Sequence, residues 1–244
     1  MSEALPIIDA ASSPAPLPTV RALETLWDEV STKRLWAPPN FFRFLSLSWS
    51  MRTREVNPDD ITLIAPTGKV NDCQSCMNNC CVGHSSTVLL RLRDIAALID
   101  LGRTELITQE KPCFDNATLQ ERPALDRQVS SRDWQEFPVL TQNSFGACNA
   151  LDTEGQCTLY PHWPSTCARF PYTFNPDRLE VLYSRRCDAF WIHPHLEERA
   201  HEMAVSAVGA YNARIRDRIL LAYASDHLEA LGIAKFLRIS PDLC

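Results

Sequence analysis

The chain has 244 residues, 24 of them basic and 30 acidic, giving a formal charge of -6. That length buries a core of its own without staples, and the acidic balance excludes a global field that would draw the protein onto nucleic acid or an anionic membrane. Ten cysteines in 244 residues are too dilute for a disulfide scaffold, which carries more than about 8% cysteine.

Residues 1–18 are rich in Pro, Ala and Ser and have no period that would bury a face, so they read as a disordered lead-in. The first twenty residues include Glu3 and Asp9 and lack both a basic start and an unbroken apolar run. No secretory leader is therefore expected, and no stretch reaches the roughly 18 apolar residues of a membrane span. The expected location is cytoplasmic, in a reducing compartment, where clustered thiols serve as metal ligands or reactive groups more often than as disulfide halves.

Residues 19–64 read as an N-terminal helical extension. Leu23, Leu26, Trp27 and Val30 follow Val20 at helical spacing, predicting a helix that ends before Pro38 and Pro39. The run at 41–49 fits strand and helix equally. Residues 65–190 form the expected cysteine-cluster domain, and 191–244 the C-terminal helices.

The segment NDCQSCMNNCCVG, 71–83, places Cys73, Cys76, Cys80 and Cys81 in polar surroundings, which core packing does not explain. Cys73-x-x-Cys76 has the spacing of a metal knuckle, in which a tight turn aims two sulfurs at one ion. Cys80 and Cys81 are neighbours, whose side chains diverge on strand or helix, so they are expected to divide their roles. TVLLRL, 87–92, predicts a short buried strand, and Asp94 stands where a cap would start the helix closed by Gly102. Residues 107–137 read as an insert with little secondary structure.

The segment ACNALDTEGQCTLY, 147–160, predicts a hairpin around a DTEG turn with one cysteine on each strand. Pro161, Pro164 and Pro171 force an irregular path past Cys167. Residues 179–187 resume as a strand that ends in Cys187. Phe170, Tyr172 and Phe174 alternate like one strand face packed in a core. From Pro194 the pattern is helical, with Leu196, Ala200, Met203, Ala207, Tyr211, Ile215 and Ile219 on one stripe. A second helix runs around Leu228 and Leu231 to Gly232. No internal repeat is visible.

Cys148, Cys157, Cys167 and Cys187 lack a second knuckle, so a two-knuckle zinc ribbon is not supported. All-thiolate ligation from scattered loops suits an iron–sulfur cluster, as 4Fe–4S, as well as zinc, with iron preferred. His84 and His162 lie near the two cysteine groups, and Arg169 stands next to Cys167. Cys113 and Cys244 read as free cysteines. The seven glycines form no phosphate or dinucleotide fingerprint, and His201-Glu202 lacks the second histidine of a zinc-protease helix because position 205 is Val205.

CQSCMNNCC (73–81), RDIAAL (93–98), ACNALDTEGQCTLY (147–160) and WPSTCARFP (163–171) together resemble the YkgJ-type cysteine-cluster family, whose pattern is C-x-x-C-x-x-C-C followed by an Asp-led helix and further cysteines. The resemblance covers about residues 65–190. Two departures stand out: three residues separate Cys76 from Cys80 where two are usual, and Trp163 replaces the arginine before proline. The resemblance implies a zinc- or iron-chelating domain, also found in flagellin lysine N-methylases. The expected fold is therefore α+β: a small irregular cysteine-rich metal-binding core with short strands, packed by N- and C-terminal helices. The expected function is metal binding through Cys73, Cys76, Cys80, Cys81, Cys148, Cys157, Cys167 and Cys187. The alternatives are a metal-dependent enzyme that modifies a protein substrate, as the methylase resemblance implies, or a thiol redox protein.

Overall fold

The structure, a computed structural model, describes residues 17–31, 45, 49, 55–64, 70–71, 81, 87–111, 136–170, 172–176, 178–183, 190–191 and 196–237. Helix α1, Pro18–Ser31, buries Val20, Leu23, Leu26 and Val30, the face that the sequence period marks. It begins on Pro18, whose missing N–H costs nothing at a first helical position. Its first-turn amides are bonded from outside: Asp100 Oδ2 accepts from the backbone N of Thr19 and Val20 at 2.8 and 3.2 Å.

Helix α2, Leu92–Asp100, packs against α1 and buries Leu92, Ile95, Ala96 and Leu98. Gly102 closes it with φ of +65°, a conformation that favours glycine. Asp94 does not start this helix. It sits in the first turn, at the third helical position, and accepts from the backbone N of Arg91, the N-cap residue, at 2.8 Å. The expected strand at 87–92 is shorter than its apolar run suggests. Leu92 belongs to α2, and only Leu89 forms a bridge, with Val139.

That bridge extends an antiparallel pair, β3 (Ile107–Glu110) and β4 (Phe137–Leu140), in which Ile107 faces Leu140 and Glu110 faces Phe137. Leu90 N donates to Pro138 O and Leu140 N to Val88 O. The two ends of the supposed insert at 107–137 are thus strands; residues 112–135 lie outside the described set. Neither strand buries alternate residues, so no period of two marks it in the sequence.

A three-stranded sheet has the order β1 (Thr62–Ile64), β6 (Glu180–Tyr183), β5 (Tyr172–Asn175), parallel between β1 and β6 and antiparallel between β6 and β5. Of the strand predicted over 179–187, Glu180–Tyr183 is β6, and residues 184–187 lie outside the described set. Tyr172 and Phe174 are buried on its inner face, as their alternation predicts. Phe170 instead caps the preceding helical turn. Two-residue strands β2 (Val70–Asn71) and β7 (Phe190–Trp191) pair antiparallel. Of 41–49, only Leu45 and Trp49 are described, both helical.

Helix α4, Leu196–Tyr223, joins two cores. Ala207 and Val208 pack on Tyr172, Phe174 and Val181 of the sheet, and the Tyr211 ring meets Phe174 edge to face at 5.1 Å. Further along, Ile219, Leu220 and Ala224 enter the larger core with α1, α2 and Leu228 of α5, Ser225–Ala230. The predicted stripe holds from Ala207 onward, and a separate helix around Leu228 is present. Asn212 on α4 anchors the segment before β1: its Oδ1 accepts from Val56 N and its Nδ2 donates to Val56 O, at 3.1 and 2.9 Å. Helices and small strand pairs together make the fold α+β. None of the described helices is long and apolar enough to cross a membrane.

Candidate metal centre

β4 leads directly into the second cysteine group. Asn143 N donates to Ala147 O at 2.8 Å, and Gly146 N to Asn143 O at 2.9 Å. Asn143 Oδ1 accepts from the backbone N of Phe145 and Ala147. Gly146 has φ of +77°, and the next residue but one is Cys148. Nine residues later the construction recurs. Asp152 N donates to Gln156 O, Gly155 N to Asp152 O, and Asp152 Oδ1 accepts from Glu154 N and Gln156 N. Gly155 has φ of +80°, and Cys157 follows with the same offset.

This is a nine-residue internal repeat, Asx-x-x-Gly-x-Cys, which corrects the expectation that the chain has none. NSFGAC and DTEGQC share only Gly, Cys and an Asn/Asp side chain, a match too sparse to see before the bonds are known. Each copy is a tight turn in which a short polar side chain bonds the backbone ahead of it and a left-handed glycine lets the chain fold back. Cys148 and Cys157 each form a single bridge, with Gln142 and Leu151. The predicted hairpin is thus two small turns in tandem.

Cys148 N donates to Cys81 O at 2.8 Å, which brings the end of the first cysteine group to the start of the second. Cys148 and Cys157 are both partly buried and pack against the larger core. Burial pushes the Cys148 thiol up; a bond from Ala150 N lowers it, and a charge on Cys157 raises it again. Two thiols held together on an apolar floor resist becoming two thiolates unless a cation joins them. The donor set therefore fits a soft metal ion or an iron–sulfur cluster.

Cys167 lies on α3, Ser165–Arg169, a single helical turn, where its N donates to Pro164 O at 2.8 Å. Arg169 ends that turn. Trp163, in the place of the family's arginine, meets the Tyr160 ring edge to face at 5.1 Å. His162 is half-buried, and its N donates to Leu159 O. Cys73, Cys76, Cys80, Cys187 and His84 lie outside the described residues. Among the described residues, no three Cys, His, Asp or Glu side chains converge as a metal-binding group.

A buried polar cluster borders this region. Asp94 accepts from Ser165 N and Ser165 Oγ at 2.9 and 2.8 Å. Behind it, on α4, stands Asp217, near Arg91. The cluster was not visible in the sequence, where Asp94 appears only as a helix cap and Asp217 as one charge on a mostly polar face. Burial lowers the Arg91 pKa, against the pull of Asp217 and Asp94, and raises that of Asp94 against the bonds from Ser165 and Arg91.

Asp217 is pushed from 3.8 up to about 6, chiefly by burial and partly by Asp94, with Arg91, the Leu92 N–H and Arg214 opposing. A carboxyl with a higher pKa folded than unfolded binds more protons in the native state between those values. Its contribution is thus full below about pH 4, falls as pH rises to about 6 and stays lost above, by at most about 3 kcal/mol. Asp217→Asn removes that titration. Thermal melts of both proteins at pH 5 and pH 7.5 are expected to show the wild type losing ground to the variant at the higher pH; an equal difference at both would refute the assignment.

These elements define an α+β protein with paired thiols beside its larger core. The family model for the CxxCxxCC domain, described as a "putative zinc- or iron-chelating domain", matches residues 72–201, more than half of the chain, and the chain belongs to that family. No curated protein and no solved structure matches it.

Proposed function

We propose that the protein binds iron or zinc through cysteine thiolates, with an iron–sulfur cluster preferred to zinc. The ligand candidates are Cys73, Cys76, Cys80, Cys81, Cys148, Cys157, Cys167 and Cys187. The observation that supports the reading is the repeated Asx-x-x-Gly-x-Cys turn, in which Cys148 and Cys157 take equivalent positions against one core, with Cys148 N bonded to Cys81 O. Two turns built alike to present two thiols serve a common ligand better than they serve packing, since a buried cysteine packs as a small apolar group without such a frame.

The same frame fixes the backbone on both sides of each sulfur before a metal arrives, which limits the ordering that binding would otherwise require. When bound, the metal would hold the thiolates ionised and, as iron–sulfur, would add redox capacity. A reducing compartment such as the cytoplasm suits this chemistry, because the thiols stay available.

The test is anaerobic purification followed by elemental analysis and a visible absorption spectrum. Near-stoichiometric iron with sulfide and a broad visible charge-transfer band is the expected result. A colourless protein loaded with zinc selects the other metal, and a folded, metal-free protein overturns the proposal.

A further inference from the structure

We propose that Asp94 is a positioning residue for the metal centre: its buried carboxylate holds the α3 turn and so fixes where Cys167 stands relative to Cys148 and Cys157. The proposal rests on the reading of Cys167 as a ligand.

Asp94 is 6% exposed, the one fully buried charged side chain among the described residues, with Arg91 and Asp217 beside it only partly covered. One of its bonds serves its own helix, from Arg91 N. The other two leave the helix and reach one residue, Ser165, through its backbone N to Oδ1 and its hydroxyl to Oδ2. A carboxylate that only capped α2 would do so at the surface, without the cost of losing water. Its burial is tied to holding Ser165.

α3 needs that hold. A five-residue turn is too short to be stable by itself, and Pro164, at its N-cap, makes no side-chain capping bond. Ser165 bonds Asp94, and Thr166 Oγ1 donates to Leu89 O at 2.8 Å. Two consecutive residues thus tie the turn to the 89–94 segment, and Cys167 comes next. Leu90 in that segment and Val88 just before it bond β4, and β4 runs on to the turn that presents Cys148. Cys167 and Cys148 are therefore referenced to one short stretch of backbone, with Asp94 fixing the Cys167 side.

The test compares Asp94→Asn, Ser165→Ala and Ser165→Thr with the wild type. In reduced, metal-free protein, alkylation rates of individual cysteines are read by peptide mass spectrometry. Zinc affinity is read by competition with a chromophoric chelator. In Asp94→Asn, Cys167 is expected to react about tenfold faster relative to Cys148 and Cys157, with zinc affinity lower by about 10–100-fold, the range for removing a group that orients ligands. Ser165→Ala moves both in the same direction by less, and Ser165→Thr, which keeps the hydroxyl, behaves as wild type.

A uniform rise at all three cysteines, the mark of general loosening, overturns the proposal, as does unchanged zinc affinity in the variants. If Asp94→Asn does not fold, the ranking in Ser165→Ala decides alone. Wild-type protein that binds no zinc or iron defeats the metal reading; a selective rise at Cys167 would then still support the hold of Asp94 on that turn.

Discussion

Protein carrying Cys148→Ser and Cys157→Ser together is expected to retain only background metal after anaerobic purification, while Cys244→Ser keeps the wild-type content. The two thiols stand at equivalent points of a repeated turn and both pack against the larger core. Removing both takes two of the soft donors from one place and leaves hydroxyls, which ionise far less readily and suit neither zinc–thiolate nor iron–sulfur bonding. The substitution changes little in shape, since the turns are built by Asn143, Gly146, Asp152 and Gly155 and not by sulfur. Elemental analysis with circular dichroism separates the cases: a folded variant that keeps its metal would remove Cys148 and Cys157 from the ligand set.

The largest effect on stability is expected from Ile95→Ala. Ile95 is fully buried on α2, in the core shared by α1, α2, α4 and α5. Truncating it deletes three carbons at a position with no route to solvent, which costs about 2–5 kcal/mol. Leu179→Ala, at a turn residue 41% exposed, is expected to change stability by no more than about 0.5 kcal/mol. Urea unfolding of both variants checks the contrast, and equal midpoints would show that the α1–α2 core is not where folding free energy resides.

Much of the helical frame was legible because apolar period and burial coincide. Val20, Leu23, Leu26 and Val30 are the buried face of α1, and Ala207 to Ile219 lie where their spacing places them. The β3–β4 pair was not legible: Ile107 is paired with Leu140 and Glu110 with Phe137 across a long intervening segment, and nothing local signals a partner so far along the chain. Tyr172 and Phe174 were readable because a four-residue strand with one buried face shows its alternation.

At the site, residue types pointed to thiol chemistry before any geometry was known. The tandem turn was hidden because hydrogen bonds define it, and Asn and Asp play the same part in it under different letters. The Arg91, Asp94 and Asp217 cluster was hidden for another reason. Charged residues in helices are usually solvated, and here Ser165 on α3 and Asp217 on α4 meet the start of α2 from far along the chain.

The way α1 begins bears on the order in which the chain assembles. Its opening amides find their acceptor on Asp100, about eighty residues downstream, and fourteen residues are marginal as an isolated helix in water. α1 thus takes the acceptor for its opening amides from α2 and not from a neighbour in sequence. A peptide of residues 17–31 should be mostly unstructured, and in the growing chain α1 should become protected only after Asp100 has emerged.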